Sequence, residues 1–515
     1  MDGNFDDFLA ALPPRLDAIV RNHAAAKPEA IAIYEGDATY SYRQLDGLID
    51  AAVARLGKMG VRGGDRVMIV AENTLALVVL MFGLSRLDAW AVLINARLTA
   101  REIDAIRDHC EARRVFYLAG VSEQARAHAE RHQAAEEEWP DIGTIAVGAL
   151  RATDPEPVEA DPARQVAIVL YTSGTTGTPK GVMLSHRNLI YVASGAGMKA
   201  SIGSADRVFC VMPMTHVFGL ASIFLRGIVI GGGCRLAARF SAPEIAAAVA
   251  AGEVTVLSGV PAMFAKLLDH AEAAGLSLRS PALNLVTTGG SPVDPDIKVR
   301  IETAFGITAI TGYGMTETAA TISRSMPGDD GPALSAGQPL DGLDVRIVDG
   351  DGRALPLGEV GDVRVRGPNV MLGYFRDPAA TAAALTEDGW LRTGDLGRID
   401  NDGNIHIVDR SKDIIIRSGF NVSPVEVEGV LNAHPGVLLS AVVPRPAAGG
   451  DEDIVAFVQP AAGAAVTEAD LIAYAAEELT AYKRPSRIVV VDTLPASSTG
   501  KVLKAGLKDR AAALA

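Results

Sequence analysis

A loop rich in glycine and hydroxyl-bearing residues follows an apolar stretch at residues 166–170. Residues 171–181 read Tyr-Thr-Ser-Gly-Thr-Thr-Gly-Thr-Pro-Lys-Gly. Backbone N–H groups, hydroxyls and a cation are the groups that bind a polyphosphate, and the loop offers Thr172, Ser173, Gly174, Thr175, Thr176, Gly177 and Lys180. It is not a Walker A loop, because no Gly-Lys-Ser/Thr follows at the required spacing. On composition alone, a phosphate-binding loop and a polar surface loop both fit.

Later residues carry side chains that suit the same chemistry. Glu317 follows Thr316, so a hydroxyl and a carboxylate stand together, and Mg²⁺ prefers hard oxygen ligands. Asp395 lies in a Thr-Gly-Asp sequence, and one carboxylate can accept both hydroxyls of a ribose. Lys501 follows Ser-Ser-Thr-Gly, and a lysine side chain supplies a point cation. Taken singly, each of them is also an ordinary surface charge or turn residue.

Together these segments resemble the adenylate-forming superfamily of acyl-CoA synthetases, aryl-CoA ligases, luciferases and peptide-synthetase adenylation domains. The resemblance rests on residues 172–181 and on four further segments in the family's order, at residues 312–317, 389–395, 409–413 and 495–501. It extends over essentially the whole chain. It implies an ATP- and Mg²⁺-dependent enzyme that activates a carboxylic acid as an acyl-adenylate and then transfers the acyl group to coenzyme A.

The resemblance also assigns roles to single residues. Lys501 is similar to the family's mobile catalytic lysine, and the other catalytic residues implied are Thr316, Glu317 and His216, with Glu317 also holding the metal. Beyond the phosphate loop, the implied nucleotide contacts are Gly290, Ser291, Thr311, Gly312, Tyr313, Asp395 and Arg410. Lys412 matches the family's hinge, which predicts an adenylation domain at residues 1–411 and a small mobile domain at residues 412–515.

The acid-binding side is predicted from residues 212–220, Met-Pro-Met-Thr-His-Val-Phe-Gly-Leu. Peptide-synthetase adenylation domains usually carry an aspartate here for the ammonium group of the substrate. None occurs between residues 208 and 225, which disfavours an amino acid substrate, since its buried cation would lack a partner. The acyl pocket that the resemblance implies is lined by His216, Phe218, Gly289, Gly290 and Gly314.

The thiol side is predicted from residues 417–424, which resemble the fatty-acyl-CoA ligase branch. The candidate CoA contacts there are Ser418, Gly419 and Phe420, and coumarate-type ligases more often carry a lysine where Ser418 stands. This favours a medium- or long-chain fatty acid as substrate. The alternatives are an aryl, cinnamate-type or alicyclic acid, and a stand-alone adenylating enzyme that loads a carrier protein. A non-catalytic nucleotide-binding protein is disfavoured, because the candidate catalytic and ribose-binding residues occur together.

The elements that must position these residues alternate up to about residue 400. Apolar runs such as residues 66–70 alternate with helix-like segments such as residues 75–84, which indicates parallel sheets covered by helices. After residue 341, alternating polar and apolar residues favour antiparallel strands, and an α+β tail follows. We therefore predict an α/β fold. The resemblance implies two parallel-rich αβ sheets and a small β-barrel-like unit in the large domain. Residues 130–165 are predicted to be a surface connection.

Composition bears on the partners and the cellular setting of the protein. The 515 residues include 62 acidic side chains against 48 lysines and arginines, a net charge of −14, which argues against nucleic acid as the main partner. Three cysteines make no disulfide framework and favour a reducing, cytoplasmic setting. Residues 208–225 carry no formal charge, but a proline, a histidine and glycine within them favour a buried strand, loop and helix over a membrane span. The expected partners are therefore small molecules, and the oligomeric state stays open, with a homodimer among the alternatives.

Overall fold

The computed structural model describes residues 5–172, 179–195, 202–291, 293, 295–326, 335–410, 413, 415–417, 420–447, 452–461, 463–497 and 502–514. Its helices are α1 (Phe5–Ala11), α2 (Leu16–Ala26), α3 (Tyr42–Lys58), α4 (Leu75–Arg86), α5 (Ala100–His109), α6 (Glu123–Arg131), α7 (His186–Ser194), α8 (Arg226–Val229), α9 (Ala242–Ala250), α10 (Pro261–Ala273), α11 (Pro295–Phe305), α12 (Pro378–Ala384), α13 (Pro424–Asn432), α14 (Glu468–Glu478) and α15 (Lys504–Ala512).

The strands are β1 (Ile31–Glu35), β2 (Ala38–Ser41), β3 (Arg66–Ala71), β4 (Trp90–Asn95), β5 (Arg114–Tyr117), β6 (Ala135–Trp139), β7 (Gly143–Val147), β8 (Val166–Thr172), β9 (Lys180–Ser185), β10 (Arg207–Cys210), β11 (Gly233–Leu236), β12 (Val256–Gly259), β13 (Leu285–Gly289), β14 (Ala309–Tyr313), β15 (Ser323–Arg324), β16 (Gln338–Pro339), β17 (Asp344–Val348), β18 (Gly361–Arg366), β19 (Gly373–Tyr374), β20 (Leu391–Ile399), β21 (Ile405–Arg410), β22 (Ile415–Arg417), β23 (Phe420–Val422), β24 (Val437–Pro446), β25 (Glu452–Pro460) and β26 (Arg487–Val490).

One large sheet carries the strands that flank the glycine- and threonine-rich loop. Its order, among the described residues, is β19-β9-β8-β4-β3-β5-β7-β6, and β8, β4, β3 and β5 run parallel. Every residue of β3 is buried, as expected for a strand covered on both faces. Helix α4 is apolar on all sides and buried along residues 75–85, because it packs in the core rather than at the surface.

The second large sheet has the order β16-β15-β14-β13-β12-β10-β11-β1-β2 within the described ranges. Its strands from β14 to β1 are all parallel, so their carboxyl ends lie along one edge. Ligands of open α/β sheets bind at that edge. The uncharged stretch after residue 207 forms β10, a loop, and a π-helix at Phe218–Leu225 that continues into α8, as predicted. None of the helices in the described part of the chain is both long and apolar enough to cross a membrane.

The predicted small β unit is an antiparallel sheet of order β17-β18-β20-β21 in the described residues. The chain then forms the hairpin β22-β23 and a separate sheet of order β24-β25-β26, which is covered by α13, α14 and α15. The apolar clusters of this tail are distinct from the main core. The predicted fold class is confirmed: a large α/β region of several sheets and a smaller α+β region.

The prediction of a surface connection at residues 130–165 is wrong in part. Strands β6 and β7 pair as an antiparallel hairpin at the edge of the first sheet. Residues Glu136 to Glu138 give this segment a charged sequence that is not typical of a strand. Charged side chains are nevertheless common on edge strands, where they prevent pairing with strands of other molecules. Trp139 at the end of β6 is only 3% exposed, and the guanidinium of Arg55 lies 4.4 Å from its ring centroid.

Candidate active site

The glycine- and threonine-rich loop connects two antiparallel neighbours in the first sheet. Thr172 at the end of β8 pairs with Lys180 at the start of β9. Strands β8 and β9 thus form a β-hairpin, which we call the phosphate-loop hairpin. Five of its predicted phosphate ligands, Ser173, Gly174, Thr175, Thr176 and Gly177, lie outside the described residues.

A short loop after β14 presents the acidic candidate. A Cβ added at Gly314 would lie 1.7 Å from the carbonyl oxygen of Ala320, so the two backbone segments touch where a side chain would otherwise be. Ala319 and Ala320 have φ angles of 49° and 100°, a region that side-chain-bearing residues adopt at a cost of about 1–3 kcal/mol each. This tight loop holds Glu317 with a relative exposure of 8%.

Glu317, Tyr374 and Lys180 form one column of side chains. The hydroxyl of Tyr374 donates a hydrogen bond to Oε1 of Glu317 at 2.8 Å. Nζ of Lys180 lies 4.9 Å from the centroid of the same tyrosine ring. Burial, followed by the charge of Glu317 and the hydrogen bond to it, raises the pKa of Tyr374. The column links the lysine of the phosphate-loop hairpin to the candidate metal ligand.

Sequence reasoning missed Tyr374, although a signal existed. The residue lies in strand β19, which pairs with β9 through Tyr374 and Val182. The N–H of Met371, just before β19, donates to the carbonyl oxygen of Glu317 at 2.9 Å. The run Gly-Tyr-Phe at residues 373–375 has the β propensity of an edge strand, but nothing local indicates that its partner is β9.

The donor set fits a magnesium ion bound mainly by substrate. Oε2 of Glu317 accepts no hydrogen bond from the described residues, and the carboxylate lies beside the phosphate-loop hairpin. The described residues contain no group of three or more acidic, histidine or cysteine side chains that could enclose a metal. Mg²⁺ typically takes one or two carboxylates and completes its shell with phosphate oxygens and water. Glu317 would hold the ion in that way.

The ribose candidates meet where β14 faces the small β sheet. The hydroxyl of Tyr313 donates to Oδ2 of Asp395 at 2.6 Å, and Asp395 has a relative exposure of 6%. The backbone N–H of Asp395 donates to Oγ1 of Thr393 at 3.1 Å. Arg410 pairs with Asp395 across β20 and β21. The structure thus brings together three of the predicted nucleotide residues.

Two predicted nucleotide residues, Thr311 and Gly312, lie at the end of β14. The Thr311 hydroxyl donates to the carbonyl oxygen of Ser335 at 3.0 Å, and its N–H donates to Oγ of Ser325 at 2.9 Å. Thr311 therefore organises the surrounding backbone, and the two serines are contacts that the sequence did not indicate. Gly312 pairs with Gly289, so a Cβ on Gly289 would lie 3.2 Å from the carbonyl oxygen of Gly312.

The acyl candidates converge from three elements. Gly290, which is followed by Ser291 just beyond β13, has a φ of 79°, and a Cβ there would lie 3.8 Å from the Phe218 ring and 3.5 Å from Val260. Nδ1 of His216 accepts the N–H of Phe218 at 3.3 Å, which fixes the start of the π-helix. Val260, a wall residue that sequence reasoning missed, follows β12 directly.

Several predicted residues cannot be placed in this geometry. Lys412, Ser418, Gly419 and Lys501 lie outside the described residues. Phe420 begins strand β23. The hinge, CoA and catalytic-lysine assignments therefore stay predictions.

Comparison with known proteins bears on the whole chain. The profile of the AMP-binding enzyme family matches residues 20–375, and that of the AMP-binding enzyme C-terminal domain matches residues 426–501. The first match alone covers more than half of the chain. The chain belongs to the AMP-binding enzyme family.

Curated relatives of this AMP-binding enzyme align over almost their full length. The 3-((3aS,4S,7aS)-7a-methyl-1,5-dioxo-octahydro-1H-inden-4-yl)propanoyl:CoA ligase of Mycobacterium tuberculosis is 34% identical, over 97% of this chain and 99% of the relative. The feruloyl-CoA synthase of an Amycolatopsis species is also 34% identical, over 95% and 97% of the two chains.

Solved structures match the AMP-binding enzyme equally fully. ATP-bound MatB from Rhodopseudomonas palustris superposes with a TM-score of 0.83 at 30% identity, covering 97% of this chain and 99% of that one. The o-succinylbenzoate coenzyme A synthetase of Bacillus subtilis, solved with ATP and a magnesium ion, gives a TM-score of 0.81 at 28% identity over 95% and 99% of the chains. The predicted enzyme class, an ATP-dependent AMP-forming acyl-CoA ligase, and the predicted ATP, Mg²⁺ and CoA are confirmed.

Proposed function

We propose that this AMP-binding enzyme ligates CoA to acids in which the reacting carboxylate is carried by an aromatic or alicyclic ring system. The observation that carries the proposal is the 34% identity, over nearly the full length of both chains, to ligases named for an indenyl-propanoyl and a feruloyl group. This favours the ring-acid alternative over the medium- or long-chain fatty acid that residues 417–424 indicated. Both of these acyl groups join a ring to the acyl carbon through a short linker.

The geometry of the acyl candidates supports a wide, apolar wall. Gly290 leaves its side-chain space to the substrate, and a methyl group placed in that space would touch Phe218 and Val260 at ordinary contact distance. Aromatic and branched side chains of this kind cover flat hydrocarbon faces well. Nδ1 of His216 accepts a hydrogen bond from the backbone N–H of Phe218, where the π-helix begins. His216 therefore forms the polar end of the proposed wall.

In the proposed reaction, a carboxylate oxygen attacks the α-phosphate and pyrophosphate leaves. The CoA thiol then attacks the acyl carbon and AMP leaves. Lys180 and the phosphate loop hold the polyphosphate, Asp395 and Tyr313 hold the ribose, and Thr316 contacts the α-phosphate. Glu317 would hold Mg²⁺, which would supply positive charge to the phosphates. Lys501 screens the two anions that must meet, and a contact of this kind contributes roughly 3–4 kcal/mol in a dry site.

The two family matches, at residues 20–375 and 426–501, support the proposal of two domains with different roles. Residues 1–411 bind ATP and acid, while residues 412–515 carry Lys501 and, on another face, the CoA contacts Ser418, Gly419 and Phe420. Lys412 is the proposed hinge between them. A backbone rotation there exchanges the two faces over one active site.

The test is a panel of acids assayed for both AMP and acyl-CoA. Ferulate, 2-succinylbenzoate and 3-cyclohexylpropanoate should give kcat/KM values at least about tenfold above those of octanoate and palmitate, since about 1.4 kcal/mol of better packing suffices for that ratio. Gly290→Val should reduce turnover of the ring acids most, while Gly350→Val, where nothing lies within 4 Å, should change nothing. A preference for the linear acids, or acyl transfer to a holo-carrier protein but not to CoA, would overturn the proposal.

A further inference from the structure

Two arginines with buried guanidinium nitrogen atoms lie on elements next to the acyl candidates. Arg226 begins α8, directly after the π-helix at Phe218–Leu225, and Arg324 ends β15. Arg226 is 8% exposed. Its Nε and Nη1 atoms, and the Nε and Nη2 atoms of Arg324, are buried and make no hydrogen bond with the described residues. Buried guanidinium groups normally have most of these donors satisfied.

One continuous helix leads from the proposed acyl wall to Arg226. Phe218 borders the space above Gly290. Four residues further along the helix, the hydroxyls of Ser222 and Thr321 share a hydrogen bond of 2.9 Å. Four residues further again comes Arg226, and three residues beyond Thr321 comes Arg324. Arg226 thus lies eight residues beyond Phe218 on the same continuous helix.

The charge of the pair is only partly offset within the described residues. No carboxylate there lies within ion-pair distance of either guanidinium, although Asp341 and Tyr191 are near enough to act on Arg324. Burial lowers the pKa of Arg226 to about 10. Burial, and then the charge of Arg226, lowers the pKa of Arg324 to about 9. Two buried cations that repel one another are costly unless an anion joins them.

We propose that Arg226 and Arg324 bind a second carboxylate at the end of the substrate remote from the reacting one. The acid is then a ring-bearing dicarboxylate. Two guanidinium forks match the planar, multiply accepting carboxylate better than any neutral group. The location of the acyl pocket in this inference rests on the proposed function, whereas the unpaired arginines do not.

The experiment compares acids in matched pairs that differ only in the second carboxylate. The ring pair is 2-succinylbenzoate and 4-oxo-4-phenylbutanoate, and the linear pair is suberate and octanoate. The wild-type enzyme should use 2-succinylbenzoate about 100-fold better in kcat/KM than its monoacid, as expected for charge-assisted hydrogen bonds lost from a buried site. In Arg226→Met that ratio should fall below about threefold, mainly through KM. Arg353→Met, which changes an exposed arginine, should keep the wild-type ratio.

The outcomes separate this inference from the proposed function. Equal use of the two acids within each pair, or an unchanged ratio in Arg226→Met, overturns the arginine site even if ring acids are preferred. Preference for the linear pair overturns the ring-acid proposal, while a diacid preference within that pair still supports the arginines.

A binding measurement covers the case of no turnover. 2-Succinylbenzoate alone should raise the thermal unfolding midpoint of the wild-type protein but not that of Arg226→Met, and no shift in the wild type counts against the site. Ligand-free Arg226→Met should unfold at the same or a higher temperature, because the change removes a charge that is only partly offset. A marked drop in that temperature would show a structural role and overturn the inference.

Discussion

The Tyr374 hydroxyl donates a 2.8 Å hydrogen bond to Oε1 of Glu317, and the two residues are 57 positions apart in the chain. The bond leaves Oε2 of Glu317 for a ligand, while the ring of Tyr374 faces Nζ of Lys180. Tyr374 is therefore a positioning residue. It orients the carboxylate and keeps it beside the lysine of the phosphate-loop hairpin.

Tyr374→Phe should weaken the use of Mg·ATP without unfolding the protein. The change removes one hydrogen bond to a charged group, worth about 1.5–3 kcal/mol, but keeps the ring under Lys180. We expect kcat/KM for ATP in acid-dependent pyrophosphate release to fall roughly 10- to 100-fold, with a higher Mg²⁺ concentration needed for half-maximal rate. Tyr474→Phe is the matched control, because the ring of Tyr474 contacts His434 rather than Glu317 or Lys180. Wild-type Mg²⁺ dependence in Tyr374→Phe would contradict the assignment.

Gly314→Ala should disable the site through the backbone. The added methyl group would lie 1.7 Å from the carbonyl oxygen of Ala320, so the loop that carries Glu317 must open. A displacement of about 1 Å at a reacting group can cost on the order of 100-fold in rate. Stopped-flow or end-point pyrophosphate release should show at least that loss. Gly350→Ala, in open space, should keep full activity, and a fully active Gly314→Ala would show that the close approach is unimportant.

His186 should make stability depend on pH below neutrality. Burial, and then the nearby Arg15, lowers its pKa from 6.5 to about 3, so the unfolded chain binds a proton that the folded chain excludes. Stability is therefore fully present above about pH 6.5 and falls, by about 1.4 kcal/mol per pH unit, as the pH drops toward 3. Denaturant midpoints at pH 7 and pH 5.5 should differ more in the wild type than in His186→Asn. His434→Asn, at a partly exposed histidine, should behave as wild type, and identical pH responses in all three would refute the prediction.

Lys501→Ala should separate the two half-reactions. If Lys501 screens the carboxylate and the α-phosphate, acid-dependent pyrophosphate release should fall about 100- to 1,000-fold. Capture of a supplied acyl-adenylate by CoA should stay near the wild-type rate, because that step brings no second anion to the phosphate. Rapid-quench assays of each step measure the two rates. An equal loss in both would contradict the assignment.

The sequence predicted those parts of the fold whose signals are local. The apolar runs in β3, β4 and α4 are long enough to be recognised, and the antiparallel strands β17, β18 and β21 alternate visibly. Hairpin β6-β7 was missed because β6 contains three consecutive glutamates, a pattern typical of a solvated segment.

The site was predictable only where a motif carried it. Glu317 and Asp395 lie in recognisable strings, and the structure brings each to a tyrosine. Tyr374 and Arg324 lie near partners that are distant in the chain, and such proximity is set by strand order rather than by neighbouring residues. The proposed ring-bearing acid was also beyond local inference, since residues 417–424 pointed to a fatty acid.

The most direct test of acyl-adenylate formation by this enzyme is to follow the carboxylate oxygens of the substrate. Wild-type enzyme is supplied with ATP, Mg²⁺, CoA and 2-succinylbenzoate labelled with ¹⁸O in both carboxylates. The masses of the AMP and acyl-CoA products are then measured by mass spectrometry. Passage through an acyl-adenylate predicts one ¹⁸O in each AMP released and one retained in the thioester carbonyl. Unlabelled AMP, or ADP and phosphate as products, would show that the reaction does not pass through an acyl-adenylate.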